Sequence, residues 1–305
     1  MEISLSVPGV STFDAMVDAA RSASEAGLSG VWLNQVDGWD ALTAVAALSA
    51  HAPDLGWGTS IVPTFTRHPL VLASQALTIQ AATGNRFSLG VGPSHPAIIE
   101  GGYGVSYRRP ATHTSEYLSV LRPLLRGERV THTGEWFGLD GAVQAPGVVE
   151  PEVLLSALGP RMLRIAGELA DGTIVVWVRP DHIAQVIRPA LLAAADAAGR
   201  GATPKVIAGV IATVTDRSSE VRAEIDAALG FAGDLPAYRS LLDRQGLSAV
   251  TDTVLIGSAD EVEAGIADFR DAGVDELIVS VWGSEPAETV DVLRGVVARE
   301  QSIAR

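Results

Sequence analysis

Two strand-to-loop passages set small residues beside groups able to hold a planar or an anionic ligand. The first is Gly92, Pro93, Ser94 and His95, which follows a stretch alternating Phe87, Leu89 and Val91 with Ser88, Gly90 and Gly92. Gly92 stands at the expected strand end, where the missing Cβ lets backbone approach a ligand. His95 is the ionisable group beside it, and reads either as a proton donor or as a hydrogen-bonded structural histidine. Gly90 reads either as part of the same surface or as relief for a crowded strand. The second passage is Ser156, Ala157, Leu158, Gly159, Pro160 and Arg161. Pro160 suits a first helical turn, ahead of apolar positions at Leu163, Ala166, Leu169 and Ala170. The free N–H groups of such a terminus favour an anion such as a phosphate, and Arg161 can add a charge-assisted contact. An ordinary strand-to-helix turn with a surface arginine is the other reading.

Other chemistries are poorly provided for. With no cysteine there is no thiolate nucleophile, disulfide or sulfur-ligated metal. The sole lysine, Lys205, lies outside any GxxxxGK[ST] loop, which argues against both a P-loop and a Schiff base. The six histidines are scattered with no HxH or HExxH spacing, so no metal site is expected. GxSxG is absent, and no paired carboxylates stand out. A rim of glycines, small residues and tryptophans suits chemistry brought by a cofactor. Trp177 and Trp282 read equally as ligand walls or core plugs. A formal charge of −14 disfavours nucleic acid and anionic membrane as partners, leaving a small-molecule substrate. Apolar runs are broken before the roughly 20 residues a spanning helix needs, so a cytosolic location is expected.

The elements that would position these residues alternate strand and helix. Strands are expected at 2–7, 30–33, 55–62, 86–92, 153–157, 172–178, 205–214 and 277–282, with a short extra one at 254–256. Ser11 and Asp14 suggest a capping box for the first helix. Asp40 suggests a cap for the second. The triplet Arg67, His68 and Pro69 opens a helix over 69–83 that Gly84 ends. Residues 96–111 read as a long loop, 114–125 as a helix and 129–139 as a hairpin turning at Gly134, with Trp136 and Phe137 on its return arm. Two helical pieces lie within 218–247, Ser258 and Glu261 form a second capping box, and a helix over 285–299 closes the chain. Near-continuous apolar strands around Ile174, Ile207 and Ile278 imply burial on both faces of a parallel sheet. Eight such strands alternating with helices favour a (β/α)8 TIM barrel, with insertions after strand 4 and before strand 5, as one domain over 1–305. A dinucleotide fold lacks its GxGxxG. The barrel reading puts Gln35, Ser60, Gly92 and Ala157 on one rim.

With those residues assembled, the chain resembles the luciferase-like monooxygenase superfamily, and within it the oxidoreductases that use the deazaflavin coenzyme F420. The matching segments are TFTRHPLVLASQALTIQAATGNRFSLGVGPSHP, LLSALGPRMLRIAGELADG and LIGSADEVEAGIADFRDAGVDELIVS. The resemblance implies a homodimeric barrel holding F420, or FMN, at its carboxyl face. It implies a cis peptide at Ser60–Ile61 behind the ring, Gly92, Pro93 and Ser94 beside the ring, and Ser156, Ala157, Gly159, Pro160 and Arg161 around a phosphate-bearing tail. Many deazaflavin members carry an Asp–His pair where this chain has Asn34 and Gln35. Gln35 is therefore expected to hydrogen-bond ring or substrate, and His95 to be the proton partner. The expected function is hydride transfer between F420 and a small organic substrate. The alternatives are an FMN-dependent monooxygenase and a non-catalytic cofactor-binding protein.

Overall fold

Strands rich in Val, Ile and Leu need apolar cover on both faces, and the chain provides it by closing its sheet on itself. The computed structural model describes residues 1–8, 10–36, 38–283 and 286–303, with side chains to residue 300. Eight parallel strands form the barrel: β1 (Glu2–Val7), β2 (Gly30–Leu33), β3 (Gly56–Thr59), β4 (Phe87–Gly92), β5 (Glu152–Ser156), β6 (Gly172–Val176), β7 (Lys205–Val214) and β8 (Glu276–Val281). Each pairs with the next, and β8 closes on β1 from Glu2 opposite Glu276 to Leu5 opposite Val279. This is the expected (β/α)8 architecture. The lumen is packed by Trp32, Leu154, Ile174, Ile207 and Ile278, with Ile61 against them. A far larger apolar layer separates the strands from the helices.

Strand three departs from a regular ladder. Gly58 is opposite Ser88, yet Val62 is opposite Val91, so β3 carries one more residue than β4 across the same span. Val62 and Pro63 resume pairing after the bulge. Within it the Ser60–Ile61 peptide is cis. The Ser60 N–H donates to Leu33 O at 2.8 Å and the Gln35 N–H to Ile61 O at 3.2 Å, tying the bulge to the exit of β2. Gly90 is there for space: a Cβ would lie 1.8 Å from Thr59 O.

Side-chain caps or first-turn prolines set most helix starts among the described residues. α1 (Phe13–Glu25) is capped by Thr12, whose hydroxyl accepts from Ala15 N–H, rather than by Ser11; Thr12 is the residue with extended backbone at the junction. Asp40 caps α2 (Ala41–Leu48), and His68 caps α3 (Pro69–Ala82) by accepting from Leu70 N–H, with Gly84 following at φ 63°. The expected loop over 96–111 is partly helical. Pro96 starts α4 (Pro96–Tyr103), which Gly104 closes at φ 66°, and Pro110 starts α5 (Pro110–Leu125) ahead of the expected residue 114. The hairpin pairs Val130–Thr133 with Gly138–Gly141. Trp136 and Phe137 lie in its turn, not on its return arm, because the Glu116 carboxylate of α5 gathers the N–H groups of Glu135, Trp136 and Phe137. α6 (Pro160–Leu169) follows β5.

Beyond β7 the helices Ser218–Leu229 and Pro236–Gln245 cover a second apolar cluster that includes Trp177, Ile211, Ile225 and Leu242. The short strand Leu255–Gly257 pairs with the last residues of β7, Ala212–Val214. Ser258 and Glu261 form the expected capping box. The last helix runs Ala287–Ile303, and its expected start at residue 285 lies outside the described residues.

Candidate active site

The carboxyl ends of β2, β3, β4 and β5 bring most of the expected residues together. A Cβ on Gly92 would stand 3.1 Å from Ser156 Cβ and 3.2 Å from Ile61 Cδ1, so Ile61, Gly92 and Ser156 form one continuous surface. Gln35 joins it through its backbone bond to Ile61 O. That surface is uncharged. Ala157, next along, is fully buried.

Past Pro93 the chain turns sharply, with Ser94 in the left-handed region at φ 62°. The Tyr107 hydroxyl donates to Ser94 O at 2.8 Å, and burial pushes the Tyr107 phenol up to about 12, which keeps it protonated as a donor. His95 precedes α4 and caps it through its carbonyl, accepting from Ile99 N–H at 2.9 Å. Its ring makes no such anchor. Nδ1 is buried without a hydrogen-bond partner, the Tyr238 ring lies 4.7 Å away, and burial lowers the imidazole pKa, so His95 is neutral near pH 7. The hydrogen-bonded structural histidine is thus not what the fold builds.

At α6, Gly159 is extended and a Cβ there would meet nothing within 4 Å. The first backbone donor satisfied is Leu163 N–H, to Gly159 O; the N–H groups of Arg161 and Met162 have no acceptor among the described residues. Arg161 is exposed and reaches Thr112 Oγ1 at 3.3 Å. A second guanidinium stands close by: Arg244 Nη2 donates to Leu158 O at 2.7 Å. Nothing in the spacing of the sequence could bring residue 244 to residue 158. Open space, free N–H donors and two arginines suit an anionic tail, while the uncharged wall of Ile61, Gly92 and Ser156 suits a planar ring.

Other expectations resolve structurally. Trp177 and Trp282 both pack into the second apolar cluster, and Trp177 O accepts from Gln245 Nε2 at 3.0 Å. Arg67 pairs with Asp40 and Gln35, giving the Arg67–His68–Pro69 triplet the architectural part expected of it. Among the described residues no cluster of His, Asp and Glu could hold a metal, and no helix is long and apolar enough to cross a membrane.

The sequence profile of the luciferase-like monooxygenases matches residues 2–300. The chain is 25% identical over 290 residues to a 5,10-methylenetetrahydromethanopterin reductase of Methanolobus tindarius, covering 85% of this chain and 87% of that one. In structure it resembles an F420-dependent secondary alcohol dehydrogenase solved with an F420–acetone adduct, with a TM-score of 0.84 and 18% identity over 97% of both chains. It also resembles an EDTA monooxygenase from Chelativorans sp. BNC1, with a TM-score of 0.81 and 16% identity over 98% of this chain and 94% of that one.

Proposed function

The chain belongs to the luciferase-like monooxygenase family, and from that premise we propose that it is an F420-dependent oxidoreductase acting on a small organic substrate. The observation that carries the reading is the continuity of an uncharged wall with an anion-ready helix start: Ser156 touches the Gly92 surface, and the same segment runs through Gly159 into the free N–H groups of α6. The likeness in structure to an F420-dependent secondary alcohol dehydrogenase supports the deazaflavin as the first cofactor to try, with FMN as the alternative.

Ser60, Ile61, Gly92, Pro93 and Ser94 would hold the ring, and Ser156, Ala157, Gly159, Pro160 and Arg161 the tail. A deazaflavin bound there supplies two-electron hydride chemistry. The protein contributes placement and proton handling. Tyr107 and α4 fix the Ser94–His95 corner before any ligand enters. His95, neutral and with Nδ1 buried without a partner, would take up and release a proton through its other ring nitrogen, Nε2. Gln35 has no proton to exchange near neutral pH and can act only by hydrogen bonding.

A fluorescence titration of the apo-protein with F420 and, in parallel, with FMN tests the reading. Saturable binding of F420 tighter than that of FMN is expected, followed by substrate reduction without oxygen uptake. Preference for FMN with oxygen consumption would make it a monooxygenase, and tight F420 binding with no turnover on any carbonyl or imine tried would make it a binding protein. The same reading carries a homodimer, which light scattering on the purified protein checks.

A further inference from the structure

The loop leaving β2 is held by Asp40, Arg67 and Gln35. Gln35 Oε1 accepts two hydrogen bonds, from Ala41 N–H at 3.1 Å and from Arg67 Nη2 at 3.0 Å. Arg67, with its side chain only 13% exposed, also pairs with the Asp40 carboxylate. Asp40 in turn accepts from the Thr43 N–H at 2.9 Å and from the Thr43 hydroxyl at 2.8 Å. Burial acts to raise the Asp40 pKa, but the Thr43 bonds and Arg67 together outweigh it and leave the carboxyl below its usual range.

This arrangement decides which way the Gln35 amide faces. Both of its oxygen lone pairs are used, and both partners are groups that can only donate, so oxygen and nitrogen cannot be exchanged without facing donor against donor. Nε2 is therefore turned away from Arg67. It has no partner among the described residues and is not among the buried unpaired atoms, so it opens to solvent, on a residue whose backbone N–H is bonded to Ile61 O. Two exposed apolar residues, Val36 and Trp39, lie on the same loop, and Trp39 is latched by Nε1 donating to Ser11 O at 2.9 Å.

We propose that Arg67 is a positioning residue that holds Gln35 as a hydrogen-bond donor, and that the rim accordingly takes a substrate with an acceptor oxygen, such as a carbonyl, on an apolar body. The substrate class rests on the cofactor reading above; the orientation of Gln35 does not. No acid acts at Gln35. The donor prefers a carbonyl oxygen to an isosteric methylene, and that preference disappears when Arg67 no longer fixes the amide.

The test uses the full-length protein labelled with 15N, with and without F420, and follows the side-chain amide signal of Gln35, assigned by its loss in Gln35→Met. Cyclohexanone is expected to shift that signal and methylenecyclohexane, of nearly the same shape, to leave it in place. In Arg67→Met the cyclohexanone shift should be lost, and in Arg67→Lys, which keeps one donor, it should be partly restored; if Arg67→Met does not fold, Arg67→Lys against wild type decides. Equal shifts from both probes, no shift from cyclohexanone, or a shift unchanged in both Arg67 variants would overturn the proposal. F420 affinity in the same samples should be unchanged by Arg67→Met. Failure of wild type to bind F420 would remove the cofactor reading, while the Gln35 signal without F420 still reports on the amide.

Discussion

The Thr59 hydroxyl bridges the backbone of Gly90, accepting from its N–H at 3.0 Å and donating to its carbonyl at 2.9 Å. It thereby takes over, with one side chain, the ladder bonds that the bulge in β3 interrupts. Both atoms of Gly90 are buried, so their loss leaves two unsatisfied groups. Thr59→Ala should destabilise the protein by about 1–3 kcal/mol, read as a lower urea midpoint, with Thr59→Ser recovering most of the loss. An unchanged midpoint in Thr59→Ala would show that the bridge is dispensable.

A buried carboxyl at the amino-terminal mouth of the barrel should give stability a pH slope. Burial raises the Glu276 pKa, and Glu2 and Glu152 raise it further, against hydrogen bonds from the Ser4 hydroxyl and from Trp32 Nε1 at 2.7 Å. A carboxyl raised in the fold favours its protonated form there. The penalty for ionising it is absent below the unfolded value of about 4.3, grows as pH rises towards the raised folded value, and is complete above it. Glu276→Gln keeps an oxygen for both donors, so its thermal midpoint should exceed that of wild type at neutral pH and the gap should close towards pH ~4.3. A gap independent of pH would point to packing instead.

Gly90 and Gly159 should respond oppositely to alanine. The Cβ at Gly90 would lie 1.8 Å from a backbone oxygen, whereas at Gly159 it meets nothing and the backbone is already extended. Gly90→Ala is expected not to accumulate as soluble protein. Gly159→Ala should fold with an unchanged thermal midpoint and bind F420 more weakly, since the methyl enters the space offered to the tail. Unaltered F420 affinity in that variant would move the tail elsewhere.

The hairpin beyond α5 depends on one carboxylate. Burial acts to raise the Glu116 pKa, but the N–H groups of Trp136, Phe137 and Glu135 and the His132 ring together hold it below the usual range. Glu116→Ala should speed amide exchange at residues 135–137 and admit protease there, while the barrel strands stay protected. Exchange that rises equally in β4 would tie the hairpin to the barrel more closely than these contacts do.

Periodicity made the barrel legible, because each strand needs apolar residues on both faces and each helix on one. Boundaries set by chain reversal were legible too: Pro69, Pro160 and Gly84 stand where they were expected. Residues 96–103 were not, since a short helix with Gly101 and Gly102 has the composition of a loop and is held by its proline start and Gly104 stop. The candidate site divides in the same way. Gly92 and Gly159 announce themselves by type and place, but Arg67, Tyr107, Tyr238 and Arg244 reach the rim only through tertiary contacts between distant segments.

The extra residue in β3 acts like a shift of reading frame. Before it, Gly58 faces the lumen, with the Trp32 ring against it, while Trp57 faces the helices; after it, Ile61 is in the lumen and Val62 outside. Even numbers point inward on one side of the break and odd numbers on the other. A strand that ran from Gly58 to Val62 in regular alternation, with every residue kept and no bulge, would turn Ile61 out of the lumen and Val62 in, so the bulge is as much a part of the site as any side chain.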